Sequence, residues 1–270
     1  MEYGINVDEL LKILSQKKII IYGIGHVGMK FFYALKKHRL EKNIISFAVS
    51  TPLEGQSNID GIPIRSIEEL DNQESVIVCI AVHEAWKEKI AHKLKIVEYI
   101  WIYPFLYELL LGHPIELDVN VDLNRMIKTC MGDYRLAVRY MAIEQYFKKN
   151  KVGYDIYIKA ASLYCDKRTA EERLLKFIEL VHNWEHFGYD KSSQVLINTQ
   201  YEIIDGTHRI ATARYFGQKK IICNIFSNEL PITKLHGEKA MLTEKVLKDG
   251  GFCSEEREEL DIRNKIIRGE

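Results

Sequence analysis

The chain has 270 residues, 47% of them apolar, and its 38 Lys and Arg balance 38 Asp and Glu for a formal net charge of zero. That length suits two domains, and the apolar content is enough to build cores and excludes wholesale disorder. The segment 151–270 is equally neutral, with 19 basic and 19 acidic residues, so the basic excess of a general nucleic-acid binder is missing and only local patches remain open.

In chain order, residues 7–14 read as a short lead-in helix, and "KKIIIYG" as a buried strand bounded by Lys and Gly. "HVGMKFFYALKKH" follows as a helix with basic residues at its C-terminal end, where cations suit the dipole. "NIISFAVS" is a second strand. "GIPIRSIEEL" gives an extended piece and then a capping box of Ser66 and Glu69. "SVIVCIAV" is a further strand and "HEAWKEKIAHKL" a further helix. Alternation of this kind predicts an α/β domain with a parallel sheet over residues 1–112.

Residues 113–150 read differently. "HPIELDVNVD" is extended or loop, and "DYRLAVRYMAIEQYFKKN" is an amphipathic helix, together a helical connector packed between two domains. A second α/β domain is expected over 151–235. "YDIYIKAAS" is taken as a strand, and Thr169 with Glu172 as a capping box opening a helix that ends at Gly188. "SSQVLIN" and "YEII" are short strands joined at residues 198–200; an Asp-Gly bend, a helix to Gly217 and the strand "KKIICNIF" follow. Residues 236–270 form a charged helical tail, broken at Gly250-Gly251.

Five scattered cysteines, at 79, 130, 165, 223 and 253, form no C-x-x-C pair and suit reduced thiols. The start has no secretory pattern. The most apolar run, "YIWIYPFLYELLLG", is broken by Pro104 and Glu108 and is shorter than the about 20 residues a membrane span needs. A cytoplasmic protein without membrane contact is the expectation.

Two stretches carry chemistry. "IIIYGIGHVG" places Gly23, Gly25 and Gly28 in a G-x-G-x-x-G between a strand and a helix, where glycines allow a tight turn and the helix N-terminus attracts phosphate. An NAD site would want an acid at the end of the next strand. That strand ends Val49, Ser50, Thr51, with no acid before Glu54, and His26 crowds the turn. Another nucleotide, a sugar nucleotide, or a turn that serves only the fold are the alternatives. "IIIYGIGHVG", "ISFAVS", "IDGIPIRSIEEL" and "VIVCIAV" together resemble the Rossmann-like N-terminal domains of surface-glycan biosynthesis proteins, over about residues 17–103.

The second stretch is "YEIIDGTHRIATARYFG". Asp205 and Gly206 make a bend, Thr207 is expected as N-cap, and His208 and Arg209 fall in the first turn of a helix. Exposed N–H groups, an arginine fork and a histidine donor make an anion cradle. Asp205 sits at its mouth, where a carboxylate accepts a proton or holds Mg²⁺. The alternative is a structural Asp-Gly turn with a capping Thr and a surface Arg. With its flanking strands and helix, residues 151–228, the run resembles the ParB/sulfiredoxin-like fold. Sulfiredoxins place a cysteine where this chain has Thr207, which disfavours sulfur chemistry. ParB proteins carry arginine-rich versions of the motif and a DNA-reading domain; about 42 residues follow the last strand here. Free serine kinases of the same fold carry D-G-H-H-R, which matches except at Thr207. The resemblance implies that Gly206, Thr207, His208 and Arg209 hold nucleotide phosphates.

Other groups are weaker. Glu172, and Glu171 beside it, would serve as a general base if their helix faces the cradle. His182 and His186 have a metal-ligand spacing, but "HNWEH" is not H-E-x-x-H and no third ligand is placed. Asp166, Lys167 and Arg168 belong to a loop that either approaches a nucleotide or is solvated, and Lys219 and Lys220 to a solvated turn. The reading that results is a phosphotransferase using ATP or another nucleoside triphosphate with Mg²⁺ on a small hydroxyl compound, such as a sugar or glycan precursor. A non-catalytic nucleotide-binding regulatory module and a ParB-like DNA-associated protein are the alternatives, and a homodimer is left open.

Overall fold

The computed structural model describes residues 4–50, 57–69, 75–82, 90, 98–190, 194–227, 235 and 241–270. The chain divides into two compact units, residues 1–113 and 114–270.

In the first unit α1 (Val7–Gln16) is opened by a capping box of Asn6 and Glu9. It leads into β1 (Lys18–Tyr22), α2 (His26–Lys37), β2 (Ile44–Val49), the short β3 (Asn58–Ile59), β4 (Ile62–Ser66), β5 (Val76–Ile80), β6 (Tyr99–Trp101) and α3 (Leu106–Leu111). The sheet order is β3-β4-β2-β1-β5-β6, parallel except for the β3–β4 hairpin. β1 lies at the centre, and Ile19, Ile20, Ile21 and Tyr22 are all buried. A strand buried on both faces reads as an unbroken apolar run, which is why "IIIY" stands out in the sequence. Chain direction across the sheet reverses between β1 and β5, so the turn after β1 opens at a switch point, where ligands of parallel α/β sheets bind. Ser66 ends β4 and its hydroxyl accepts from the Glu68 amide in place of a capping box with Glu69. The expected helix "HEAWKEKIAHKL" lies outside the described residues except for Ile90, which is buried.

The second unit begins with β7 (Glu116–Asp122) and contains α4 (Leu123–Thr129), α5 (Arg135–Tyr146), α6 (Gly153–Ala161), α7 (Lys167–Phe187), β8 (Val195–Asn198), β9 (Ile203–Asp205), α8 (Thr207–Tyr215), β10 (Lys220–Phe226), α9 (Glu244–Asp249) and α10 (Ser254–Arg268). Its sheet runs β7-β10-β8-β9, with only the β10–β8 pair parallel. Residues 113–150 are thus no free-standing connector: β7 pairs with β10, and Leu136, Val138, Met141 and Ile143 of α5 lie in the core. The tail contributes too, through Leu247, Leu260 and Ile267.

"YDIYIKAAS" is the helix α6, not a strand. Its buried positions, Gly153, Ile156, Tyr157, Ala160 and Ala161, follow the helical repeat, and the D-I-Y-I alternation that suggested a strand is too short to outweigh it. Gly153 is needed there for space, since a Cβ would sit 2.1 Å from the Met141 carbonyl oxygen. Asn150 accepts from the Val152 and Gly153 amides and donates to that same carbonyl, which locks α6 onto α5. α7 starts earlier than Thr169 and Glu172 suggest. Its cap is Asp166, whose carboxylate accepts from the Thr169 amide at 2.9 Å and hydroxyl at 2.6 Å. Those bonds, the hydroxyl first, hold the Asp166 carboxyl below its ordinary pKa. Ala170, Leu174, Phe177, Val181 and Trp184 then form the buried stripe of α7. All five cysteines are unpaired. Burial pushes Cys130 and Cys223 up to about 12 and Cys79 further still, so these thiols stay protonated and unreactive. No helix among the described residues is long and apolar enough to cross a membrane.

Candidate functional site

The motif residues lie where β9 hands over to α8. Asp205 ends the strand, and Gly206 takes a left-handed conformation, φ +106°, and caps the helix. Glycine is required twice over: L side chains avoid that φ, and a Cβ would meet the Val195 side chain at 2.9 Å. The cap is therefore Gly206 and not Thr207, which is the first helical residue, and a glycine cap has no side chain to offer the first amides of α8. That leaves the helix N-terminus with its partial positive charge at the bend.

The side chains point two ways. Asp205 Oδ1 accepts from the Gly206 amide at 2.8 Å, and its Oδ2 lies 3.8 Å from Arg209 Nη2, one helical turn on. Arg209 also donates through Nη1 to the Gln194 carbonyl. The acid and the arginine thus form a loose pair at the mouth of the turn, each about a quarter exposed. His208 faces inward. Its Nε2 is 2.7 Å from the Tyr157 hydroxyl, and its ring lies 4.6 Å from that of Phe177.

Tyr157 links this histidine to two arginines. Its hydroxyl is raised above the ordinary tyrosine value chiefly by burial, while Arg139 and Arg173 pull it back, Arg173 as a donor to the hydroxyl. A guanidinium can only donate. With Arg173 donating to the oxygen, the Tyr157 proton can be given to His208 Nε2, and an imidazole that accepts there carries its proton on Nδ1. The Arg139 guanidinium lies 5.9 Å from the Tyr157 ring centre. Arg139 is only 5% exposed; Nη1 donates to the Arg135 carbonyl at 2.8 Å, and Nε has no hydrogen-bond partner. Among the described residues it forms no ion pair with a carboxylate, in contrast to Arg135, which holds Asp133 at 2.7 Å. A buried cation without a counter-charge costs several kcal/mol by order of magnitude, and an anion beside it removes that cost.

The structure therefore brings Asp205, Gly206 and Arg209 together at the mouth of the turn, starts the helix at Thr207, and turns His208 inward. Glu172 lies 3.5 Å from Arg168, and from the same helix Arg173 and Phe177 reach the His208 cluster. Tyr157, Arg139 and Arg173 were missed in the sequence. One signal was present: Arg139 stands among Ala137, Val138, Met141 and Ala142 on an apolar helix face, with no acid three or four positions before or after it.

The first unit's glycine turn is mostly packing. Gly23 has φ +107°, and a Cβ there would lie 2.8 Å from the Ala81 carbonyl oxygen; at Gly28 it would lie 1.9 Å from the Gly23 carbonyl oxygen. Gly25 differs, because no described atom lies within 4 Å of its Cβ position and it is exposed at the cap of α2. At the end of β2, Ser50 Oγ meets the Tyr22 hydroxyl at 2.5 Å; Thr51 and Glu54 lie outside the described residues. A cleft of about 440 Å³ lies elsewhere in the second unit, lined by Glu116, Asp122, Arg125, Tyr201 and Lys220. It holds no motif residue, and chemistry rather than size favours the β9–α8 turn. No protein-family model, no curated protein and no solved structure matches this chain.

Proposed function

We propose that the chain is a nucleotide-dependent phosphotransferase acting on a small hydroxyl compound of the sugar or glycan-precursor class, with a Rossmann-like first unit and a ParB/sulfiredoxin-like second unit. The observation that carries this reading is the polarity of the β9–α8 turn. An acid and an arginine stand at its mouth, with a glycine-capped helix N-terminus between them and the Arg139–Arg173–Tyr157 cluster behind His208. The orphaned Nε of buried Arg139 suits a phosphate-bearing ligand. The central place of β1 and the room at Gly25 support a second phosphate-binding turn in the first unit.

In this reading Arg209, His208 and the amides after Gly206 hold phosphate oxygens. Asp205 takes the proton from the acceptor hydroxyl or holds Mg²⁺. When bound, Mg²⁺ supplies charge neutralisation on the phosphates. Catalysis then rests on positioning and fixed charge, as phosphoryl transfer requires. Tyr157 keeps His208 in one tautomer and one orientation. The test is incubation of the chain with nucleoside triphosphates, Mg²⁺ and a panel of sugars and amino-acid alcohols, read by mass spectrometry. A product heavier by one phosphoryl group that disappears with Asp205→Asn supports the assignment. Nucleotide binding without any product supports the second reading, a regulatory nucleotide-binding module built on the same turn.

A further inference from the structure

We propose that His182, Glu185 and His186, on the last turns of α7, bind a divalent first-row transition ion of the zinc class. One ring nitrogen from each histidine and one oxygen of Glu185 lie within 4.8 Å of one another, and all three residues are exposed. The spacing i, i+3, i+4 puts them on one helix face, and the two imidazole rings stand 4.1 Å apart. The third ligand absent from the two-histidine reading of the sequence is thus Glu185.

A second helix prepares the donors. The Tyr146 hydroxyl of α5 donates to Glu185 Oε2 at 2.8 Å and lies 3.0 Å from His182 Nδ1. Its proton is given to the carboxylate, so it can only accept from His182, which places that ring's proton on Nδ1. His186 Nδ1 lies 2.8 Å from the His182 carbonyl, an acceptor, so its proton also sits on Nδ1. Both rings then carry the lone pair on Nε2. Imidazoles fixed by a hydrogen bond at the other nitrogen are the form in which metal-bound histidines occur.

Bonds of about 2.0–2.1 Å in a tetrahedral shell set donors roughly 3.4 Å apart, so the two Nε2 atoms and the carboxylate have to draw together by side-chain rotation, which their exposure allows. The position also suits a cation. α7 ends at Gly188, and the carbonyl end of a helix carries partial negative charge. Two imidazoles and one carboxylate favour zinc, nickel or copper over magnesium or calcium. Three protein ligands leave a coordination position for water, so the ion is exchangeable. This site is independent of the phosphotransfer reading.

The experiment is calorimetric titration of the chelator-treated full chain with Zn²⁺, with Co²⁺ absorption as the geometric readout. One equivalent is expected to bind. His182→Ala and His186→Ala each should weaken it at least about tenfold, and Tyr146→Phe about tenfold through loss of the supporting hydroxyl. The exposed positions keep the variants folded, which unchanged thermal melting verifies. Wild-type stoichiometry and affinity in the His182→Ala/His186→Ala double variant would overturn the site, as would a wild-type chain that binds no Zn²⁺.

Discussion

The turns after β1 and after β9 use one backbone device for two ends. Each places glycine at a positive φ on the exit of a strand and starts a helix within a few residues. After β1 the described polar groups at the turn are backbone amides and the exposed His26, and two of the three glycines serve close contact between strand and helix. After β9 the turn carries Asp205, His208 and Arg209, and the buried Arg139 and half-buried Arg173 lie behind it. The comparison teaches that a glycine pattern reports backbone geometry, whereas the charge gathered around the turn reports chemistry.

The largest effect is expected at the acid. Asp205→Asn keeps an acceptor for the Gly206 amide, because Asn suits turns as Asp does. It removes the proton acceptor, so turnover should fall by about 10²-fold or more while nucleotide affinity changes little; single-turnover product analysis reads this. An unchanged rate would reduce the second turn to the purely structural status of the first.

The glycines come next. Gly28→Ala forces a Cβ onto the Gly23 carbonyl and should destabilise the first unit by about 3 kcal/mol or more, whereas Gly25→Ala should cost no more than about 0.5 kcal/mol. Gly206→Ala meets both the φ penalty and Val195, and should cost about 2–3 kcal/mol. Urea unfolding of the three variants ranks them, and equal losses at Gly25 and Gly28 would remove the distinction between space for packing and space for a ligand.

A smaller effect than at Gly28 is expected at Tyr157. Tyr157→Phe leaves His208 Nε2 without its donor and should cost about 1–3 kcal/mol. The folded-state pKa of Tyr157 is raised above 10.0. Its contribution is therefore complete below about pH 10, and it is lost as pH rises, because the unfolded chain gives up that proton first. Unfolding midpoints between pH 9 and pH 11 should fall less steeply in Tyr157→Phe than in wild type.

Much of the fold was legible. The strands β1 and β5 are near-continuous β-branched runs, β2 is apolar apart from Ser46, and the helix at 167–187 shows its stripe at helical spacing. Local signals misplaced the rest. Thr169 and Glu172 fit a capping box by spacing, but Asp166 holds the stronger acceptor and takes the cap. α6 read as a strand because its short D-I-Y-I alternation hides a helical repeat whose buried face, Gly153 among it, is set by packing on α5. The site divides in the same way. Asp205 to Arg209 are adjacent in sequence and were visible; Arg139, Tyr157 and Arg173 converge on His208 from three helices, and no spacing rule links them.

The most direct test is calorimetric titration of the intact chain with a panel of nucleoside triphosphates in Mg²⁺, wild type beside Arg209→Ala. Loss of one charge-assisted contact to phosphate is worth about 1.5–3 kcal/mol, so Arg209→Ala should weaken binding roughly tenfold to a hundredfold. Binding of equal strength in the two proteins, or none to the wild type, would contradict a phosphate cradle at the β9–α8 turn.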